Sequence, residues 1–561
     1  ATDSYNVAMG FKAGNLLTTG FQNVLIGGLS GDAITDADRN TAVGHASLGT
    51  NTLGSNNTAV GTYSLLNTNP ATAVAMYNTA VGYGSGQNVT TGVENTLIGG
   101  LAGDALTDAD YNVAIGSEAL STDTLGSRSV AIGRAALNAQ NFTGATEADN
   151  VAVGFDAGKA VTTGIKNTLI GALAGDALTD ADSNVAVGRA ALTTDTLGSC
   201  SVAIGRNALI SQNFTTATDT FNTAVGDRAG GAITTGVENT LIGGLAGDAL
   251  TDADYNVAVG NKALGADTLG SRSVAIGRSA LQTQNFTTAT SAYNVGVGYG
   301  AGSAVTTGIQ NTLIGALAGD ALTDADYNVA IGYAALTTDT LGSRSIAIGY
   351  EALENQNFTT ATNSYNVAMG YNTGKNVTTG TYNTLIGGLA GDALTNGVTN
   401  VAIGSESLSS EQSGSENVAV GHGASAQQNG GANNTSIGTL AGYQITTGDN
   451  NLSLGHDAAR TGSPGGAVQT GSNQICLGDE NITNAHIQVD WTVHSDQRDK
   501  TDFTALDLGL DFVKGLAPVT YKWDKRSKYG DKTADGYDLN AQTPDGTHKE
   551  DWLDIGFKAQ E

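Results

Sequence analysis

The feature that most constrains this chain is a segment that returns every 72 residues. Asn-Val-Leu-Ile-Gly or Asn-Thr-Leu-Ile-Gly begins at Asn23, Asn95, Asn167, Asn239, Asn311 and Asn383. Within each unit a shorter pattern, Asn/Ser-x-Ala-Val/Ile-Gly or a close variant, occurs four times. From Gly243 its glycines continue at Gly260, Gly277, Gly298 and Gly315, at spacings of 17, 17, 21 and 17. Between Gly10 and Gly478 there are 27 such glycines, and the register holds until a last gap of 23. A short period of near-constant length means stacked coils, each contacting only its neighbours, rather than a series of separate globular cores.

One rung shows what the repeat builds. In Asn256-Val257-Ala258-Val259-Gly260 branched residues alternate with a small one, the period-2 pattern of a strand with one buried face. The expectation is that Val257 and Val259 point inward and Ala258 outward or towards a neighbouring chain. The glycine then supplies a turn or a close backbone approach. A second apolar pair, Ala263-Leu264 or Ala335-Leu336, is expected to form a second short strand, and segments such as Thr268-Leu269-Gly270-Ser271 complete the coil as turns. No segment places apolar residues at i, i+3, i+4 and i+7 over ten or more positions, which argues against a helical solenoid. The predicted fold is therefore all-β: a parallel β-roll or β-solenoid of 17–21-residue rungs over residues 1–480. With strands about 4.8 Å apart, the rod would be on the order of 130 Å long.

Composition agrees with stacked coils. The 561 residues include 78 Gly and only 4 Pro, and a proline would delete a ladder hydrogen bond in a continuous stack. The net charge is −28, from 25 basic and 53 acidic residues. Such a polyanion is a poor ligand for nucleic acid or for an anionic membrane surface. Cys200 and Cys476 have no zinc or disulfide spacing, and Cys200 replaces the arginine found at Arg128, Arg272 and Arg344. No apolar run approaches the ~20 residues of a membrane span, and no signal peptide opens the chain. Residue 1 already falls inside a repeat, as expected of a fragment whose own N-terminus is missing.

The Asn/Ser-Val-Ala-Ile-Gly rungs resemble the left-handed parallel β-roll heads of trimeric autotransporter adhesins and the similar rolls of bacteriophage tail fibres. That resemblance covers residues 1–480 and implies a homotrimer around a common axis. Physically this is sensible, because so narrow a coil has little core of its own. The 17-residue rung is longer than that of the adhesin heads.

Beyond a connector at residues 481–494 the composition changes. All three Trp (Trp491, Trp523, Trp552) and two of the four Pro lie in residues 491–561. Residues 495–561 carry Ser495-Asp496-Gln497-Arg498-Asp499-Lys500, then Leu516-Ala517-Pro518-Val519-Thr520-Tyr521, and later Gly556-Phe557-Lys558-Ala559-Gln560-Glu561. This order resembles the endosialidase-type intramolecular chaperone, a small α+β module that in its family continues beyond the equivalent of Glu561. The resemblance implies a domain that drives trimer assembly and then cuts itself off once, at Ser495–Asp496. Ser495 would be the nucleophile and Lys500 the general base. A serine hydroxyl needs an adjacent base, and a lysine serves as one only if burial or nearby cations lower its pKa from about 10.4. The alternative is that Ser495 and Lys500 merely cap and pair in an uncleaved connector. No turnover enzyme is expected.

Two other sets of residues stand out. Asp252, Asp254 and Asn256, repeated at Asp108, Asp110 and Asn112, have an Asp-x-Asp-x-Asn spacing able to offer hard oxygens to Ca²⁺. The same residue types are also ordinary turn formers, and no cofactor other than Ca²⁺ is expected. Phe142, Phe214, Phe286 and Phe358 recur 72 residues apart in the 21-residue rungs. They would either form an aromatic receptor-contact ridge for sugars, or cover the end of the core and fill a trimer seam.

Together these readings point to a phage tail fibre or fibre-like spike. It would be a homotrimer in the virion tail, partnered by other tail proteins and a host-surface receptor, a glycan, with no nucleic acid and no membrane insertion. Its task would be host attachment or spacing of a receptor-binding tip. A bacterial trimeric autotransporter adhesin head and a glycan-cleaving tailspike are the alternatives.

Overall fold

The computed structural model describes residues 3–488, 519–521, 529, 541–543, 545, 547 and 554–556. The chain divides into two compact units, Ala1–Thr483 and Asn484–Glu561.

The first unit is a parallel β-solenoid. One strand per rung, from Val7–Met9 to Ile475–Leu477, joins a single sheet of 27 strands. Each strand pairs in parallel with the next, residue for residue: Val257–Val259 lies on Thr240–Ile242 at one side and on Val274–Ile276 at the other. No α-helix occurs among the described residues. The predicted solenoid is the observed fold.

The phase of the strands is the reverse of the expectation. Ala258, Ala275 and Leu241, the middle residues, are fully buried, whereas the flanking branched residues are half-buried or exposed. Alternation sets which residues share a face, but it does not say which face is inside. The interior is narrow. Between the strand and the turn that closes each coil there is room for a methyl or an isobutyl group, and the branched pairs are left to form the outer surface.

The second expected strand is also absent. Ala263 and Leu264 lie in a turn, with Lys262 and Leu264 at φ 59° and 51°. Both side chains of the Ala-Leu pair are nevertheless buried. The inter-rung ladder continues through them, since Leu264 N donates to Ala280 O at 3.0 Å. The left-handed backbone explains why the residue is Leu at 48, 65, 120, 137, 192, 209, 264, 281, 336 and 353: a β-branched side chain is a steric outlier there.

Core volume accounts for the 72-residue period. Strand centre and turn residue run as Leu97 with Gly103, Ala114 with Leu120, Ala131 with Leu137 and Ala152 with Gly158, after which Leu169 with Gly175 restarts the cycle. A Cβ on Gly158 would stand 2.6 Å from Leu169 Cδ1 and 3.0 Å from Leu137 Cδ2, so leucines from the rungs on both sides fill the space it leaves. Where a rung offers only Ala and Gly, leucines of its neighbours reach across it, so that adjoining rungs interdigitate.

Polar ladders complete the interior. The asparagine that opens most rungs is buried, and its amide bridges rungs. Asn256 Nδ2 donates to Gly270 O (2.9 Å), and Asn256 Oδ1 accepts from Ser273 N (2.9 Å). Where Ser replaces Asn before a long rung, a buried Gln substitutes. Gln284 Nε2 donates to Ser273 Oγ (3.0 Å) and to the buried Asp267, and Gln284 Oε1 accepts from Asn294 Nδ2 (2.9 Å). Asp123, Asp195 and Asp339 sit in the same arrangement with Gln140, Gln212 and Gln356. Each long rung also adds a two-residue parallel pair, such as Gly270–Ser271 with Thr290–Ser291.

In the second unit, Val519–Tyr521 pairs antiparallel with Asp554–Gly556, and Tyr529 Oη donates to Asp545 Oδ1 at 2.6 Å.

Candidate functional site

The surface of the solenoid is built from columns, because every position repeats directly above its equivalent one rung earlier. The residue before the buried asparagine, or the serine that replaces it, turns the corner into the strand with positive φ, and its side chain projects outward. At this corner stand Tyr255 (φ 60°), Arg272 (62°) and Tyr293 (52°), and 72 residues on Tyr327 (60°), Arg344 (64°) and Tyr365 (51°). Arg272 lies 5.2 Å from the centre of the Tyr255 ring and 5.8 Å from that of Tyr293. Arg344 lies 4.8 Å from Tyr327 and 5.8 Å from Tyr365, and Tyr365 stacks on Tyr382 with centroids 5.3 Å apart. The shared position of Arg128, Arg272 and Arg344 was visible in the sequence, but not that tyrosines flank two of them. The recurrence of Tyr or Arg directly before Asn-Val-Ala or Ser-Val-Ala is the signal that would have found the whole column.

The Asp-x-Asp-x-Asn residues are committed to three separate contacts. Asp252 Oδ1 accepts from Thr235 Oγ1 (2.6 Å), Asp254 Oδ1 accepts from Val237 N (2.8 Å), and Asn256 belongs to the buried ladder. In the earlier copy Asp108 pairs with Thr91, Asp110 accepts from Val93 N (2.8 Å), and Asn112 donates to Gly126 O (3.0 Å). Among the described residues no group of three or more His, Cys, Asp or Glu is placed to hold a metal. Asn256 and Asn112, turned into the coil, are unavailable to an ion outside it.

The four phenylalanines do not form an exposed ridge. Phe142, Phe214, Phe286 and Phe358 are only 5–6 % exposed. Each closes the end of a widened rung over a glycine: a Cβ on Gly270 would meet Phe286 Cδ2 at 2.7 Å. The backbone N–H of Phe286 donates to the buried Asp267. The extra residues of the long rung thus cap the core, and its exposed part is the loop that follows the phenylalanine.

A further 72-residue series was not anticipated. Asp104, Asp176, Asp248, Asp320 and Asp392 are partly buried in the turn after the strand, and burial holds each carboxyl above its ordinary value. Glu118 and Glu406 add repulsion at Asp104 and Asp392, while hydrogen bonds from Thr193 and Thr337 oppose the shift at Asp176 and Asp320. A raised carboxyl binds its proton more tightly in the folded state. These groups therefore destabilise the fold above the raised value, and that loss is recovered as pH falls towards 3.8, the ordinary value. Asp392→Asn should accordingly raise the melting temperature at pH 7. The advantage should shrink on acidification and vanish below about 3.8, which a series of melts across pH would measure.

Ser495 and Lys500, the predicted self-cleavage pair, lie outside the described residues. No helix among the described residues is long and apolar enough to cross a membrane. The C-terminal segment is nevertheless decisive for the comparison with known proteins. Residues 495–561 match the family described as chaperone of endosialidase. The match begins at the serine of the predicted scissile bond and ends with the chain. No curated protein matches the sequence. The chain thus joins a 27-strand solenoid to a segment similar to the endosialidase chaperone.

Proposed function

We propose that the protein is the elongated shaft of a trimeric bacteriophage tail fibre or tailspike, which serves host attachment or the spacing of a receptor-binding tip. The observation that carries this reading is the junction of a long parallel solenoid with an endosialidase-chaperone segment. A chaperone linked covalently to the end of a repetitive β-structure answers a specific difficulty: identical rungs offer many near-equivalent registers, and assembly needs a nucleus that fixes one. Three copies around an axis would also cover the outer face of the sheet. Ile98, Ile170, Ile204, Ile242, Ile276 and Ile314 lie on that face at 37–40 % exposure, within a continuous column of branched residues. An apolar stripe of this length on a soluble protein is normally covered by a partner. Partners would be other tail proteins at one end and a host-surface glycan at the other, with three chains acting through multivalency.

Two measurements test this. Sedimentation of the full-length protein should give three times the chain mass; a monodisperse monomer would remove the trimer. Intact mass of the denatured chain should show a species ending at Ser495. Ser495→Ala and Lys500→Ala should each leave the chain uncut and still trimeric. An uncut wild-type protein would assign Ser495 and Lys500 to a permanent connector.

A further inference from the structure

Three arginines of the corner column, Arg39, Arg272 and Arg344, form no ion pair among the described residues; Arg39 rests on the single ring of Phe21, whereas the other two each lie between two tyrosines. At the equivalent corners the cation is either neutralised or missing: Arg128 pairs with Glu147 at 2.8 Å, and Cys200 stands 3.8 Å from Asp219. At the next two long rungs the acid is replaced by a neutral residue. Arg272 Nη1 donates to Ser291 Oγ (2.6 Å), and Arg344 Nε donates to Asn363 Oδ1 (3.0 Å). Among the described residues, the ion pairs formed include neither arginine. A guanidinium has five N–H donors, and each of these has one committed to the neighbouring loop. Other arginines also lack an ion pair, but Arg272 and Arg344 are each held within 6 Å of two tyrosine rings, one on either side along the column.

The surroundings say what kind of ligand fits. Asp254, Tyr255, Ser271, Arg272, Thr290 and Ser291 line a shallow cavity of about 170 Å³. Asp254 is turned to the preceding rung, where it accepts from Val237 N, and Asp326 likewise accepts from Ile309 N, both at 2.8 Å. That leaves hydroxyl groups, aromatic surface and an outward guanidinium edge: donors and acceptors for sugar hydroxyls, an apolar surface for C–H groups, and a bidentate partner for a carboxylate. Arg272 and Arg344 are four rungs apart, or about 19 Å at the usual strand spacing. A densely charged polymer would be repelled by the acidic shaft between them.

The geometry points to the Tyr255–Arg272–Tyr293 and Tyr327–Arg344–Tyr365 clamps as tandem subsites for a linear polysaccharide that carries carboxylates sparsely, about one for each clamp. This deepens the attachment reading and rests on it, by naming the class of glycan and the residues that hold it. The corner column precedes the buried asparagines, so it stands beside the branched outer face of the strands and not on it.

The test is binding of the full-length protein to short fragments of gellan, whose tetrasaccharide repeat carries one glucuronate, and of hyaluronate. The comparison polymers are their carboxyl-reduced forms and polygalacturonate, charged at every sugar. The expected result is binding to at least one sparse acidic polymer, lost on carboxyl reduction and weakened at least tenfold in R272Q/R344Q with an unchanged melting temperature. R272K/R344K should fall between the two. The corners that flank Cys200 are Ser183 and Phe221, so Ser183→Tyr, Cys200→Arg and Asp219→Ser together should build a third arginine held between two aromatic rings and tighten binding, a gain that a misfolded variant cannot imitate. Binding to none of the acidic polymers, or equal binding by R272Q/R344Q, overturns the clamps. Adsorption to a panel of bacterial strains separates this from the attachment reading. A protein that adsorbs to cells equally well with and without both arginines keeps attachment and loses the clamps. Arginine-dependent polymer binding with no adsorption to any strain keeps the clamps and overturns attachment.

Discussion

Gly260→Ala should open the solenoid at one rung and leave the distant rungs folded. Gly260 sits at φ +133°, a region open essentially only to glycine, and a Cβ there would lie 2.6 Å from both the carbonyl carbon and oxygen of Gly277. The obstacle is backbone that belongs to the ladder, so no side-chain rotation relieves it. Making room means separating rungs tied by Gly260 N→Ile242 O and Gly277 N→Val259 O, each 2.7 Å. The backbone strain alone is worth roughly 1–3 kcal/mol, and the lost ladder bonds add to it. Because each coil contacts only its neighbours, the damage stays local. Hydrogen exchange and limited proteolysis should show new opening around residues 242–277 while the ends of the stack remain protected. Gly244→Ala is the control: its Cβ meets nothing closer than Asn261 Nδ2 at 3.5 Å, at an ordinary backbone angle. It should be neutral or slightly stabilising through the unfolded state. Equal behaviour of the two variants would show that the rung glycine is not a steric requirement.

Asn256→Ala should be the most damaging polar substitution in the rung. It orphans Gly270 O and Ser273 N in a fully buried position, and each such group costs about 1–3 kcal/mol. Asn256→Asp keeps an acceptor for Ser273 N but loses the donor to Gly270 O and buries a charge without a cation. It should be at least as destabilising at neutral pH. Asn256→Ser should not rescue the fold, although Ser occupies the equivalent position at Ser273. There Gln284 supplies the missing amide, and the rung of Asn256 has no such glutamine. Thermal melts of the three variants check the order. A Ser variant as stable as wild type would mean that the ladder does not depend on the amide.

Much of this architecture could be read from spacing. The glycines at intervals of 17, 17, 21 and 17 give the number of rungs, their parallel order and their residue-for-residue register within the chain, since each glycine marks the same point of its coil and the four extra residues of the long rung are accommodated outside the strand. Ser495, Arg498, Lys500 and the Leu-Ala-Pro-Val-Thr-Tyr segment carry the resemblance that the family match over residues 495–561 supports. The phenylalanines were visible as a 72-residue series, but whether Phe286 faced sugar or core depended on the empty space over Gly270, which no linear pattern expresses. The same holds for the Asp-x-Asp-x-Asn residues, because Asn256 and Asp252 look alike as oxygen donors until one is buried and the other is not.

By itself the sequence determined periodicity: a solenoid, its register, its glycine-lined strand ends and its separate C-terminal module. Only the tertiary structure decided direction. It placed Ala258 inside and Val257 and Val259 outside, turned Ala263-Leu264 into a buried turn, and set Arg272 between two tyrosines that lie 17 and 21 residues away along the chain. The reason is that alternation is symmetric between the two faces of a strand. What breaks the symmetry is the width of the closed coil, and that width is fixed by the positive-φ turns and by the leucines of the adjoining rungs, not by the strand residues themselves.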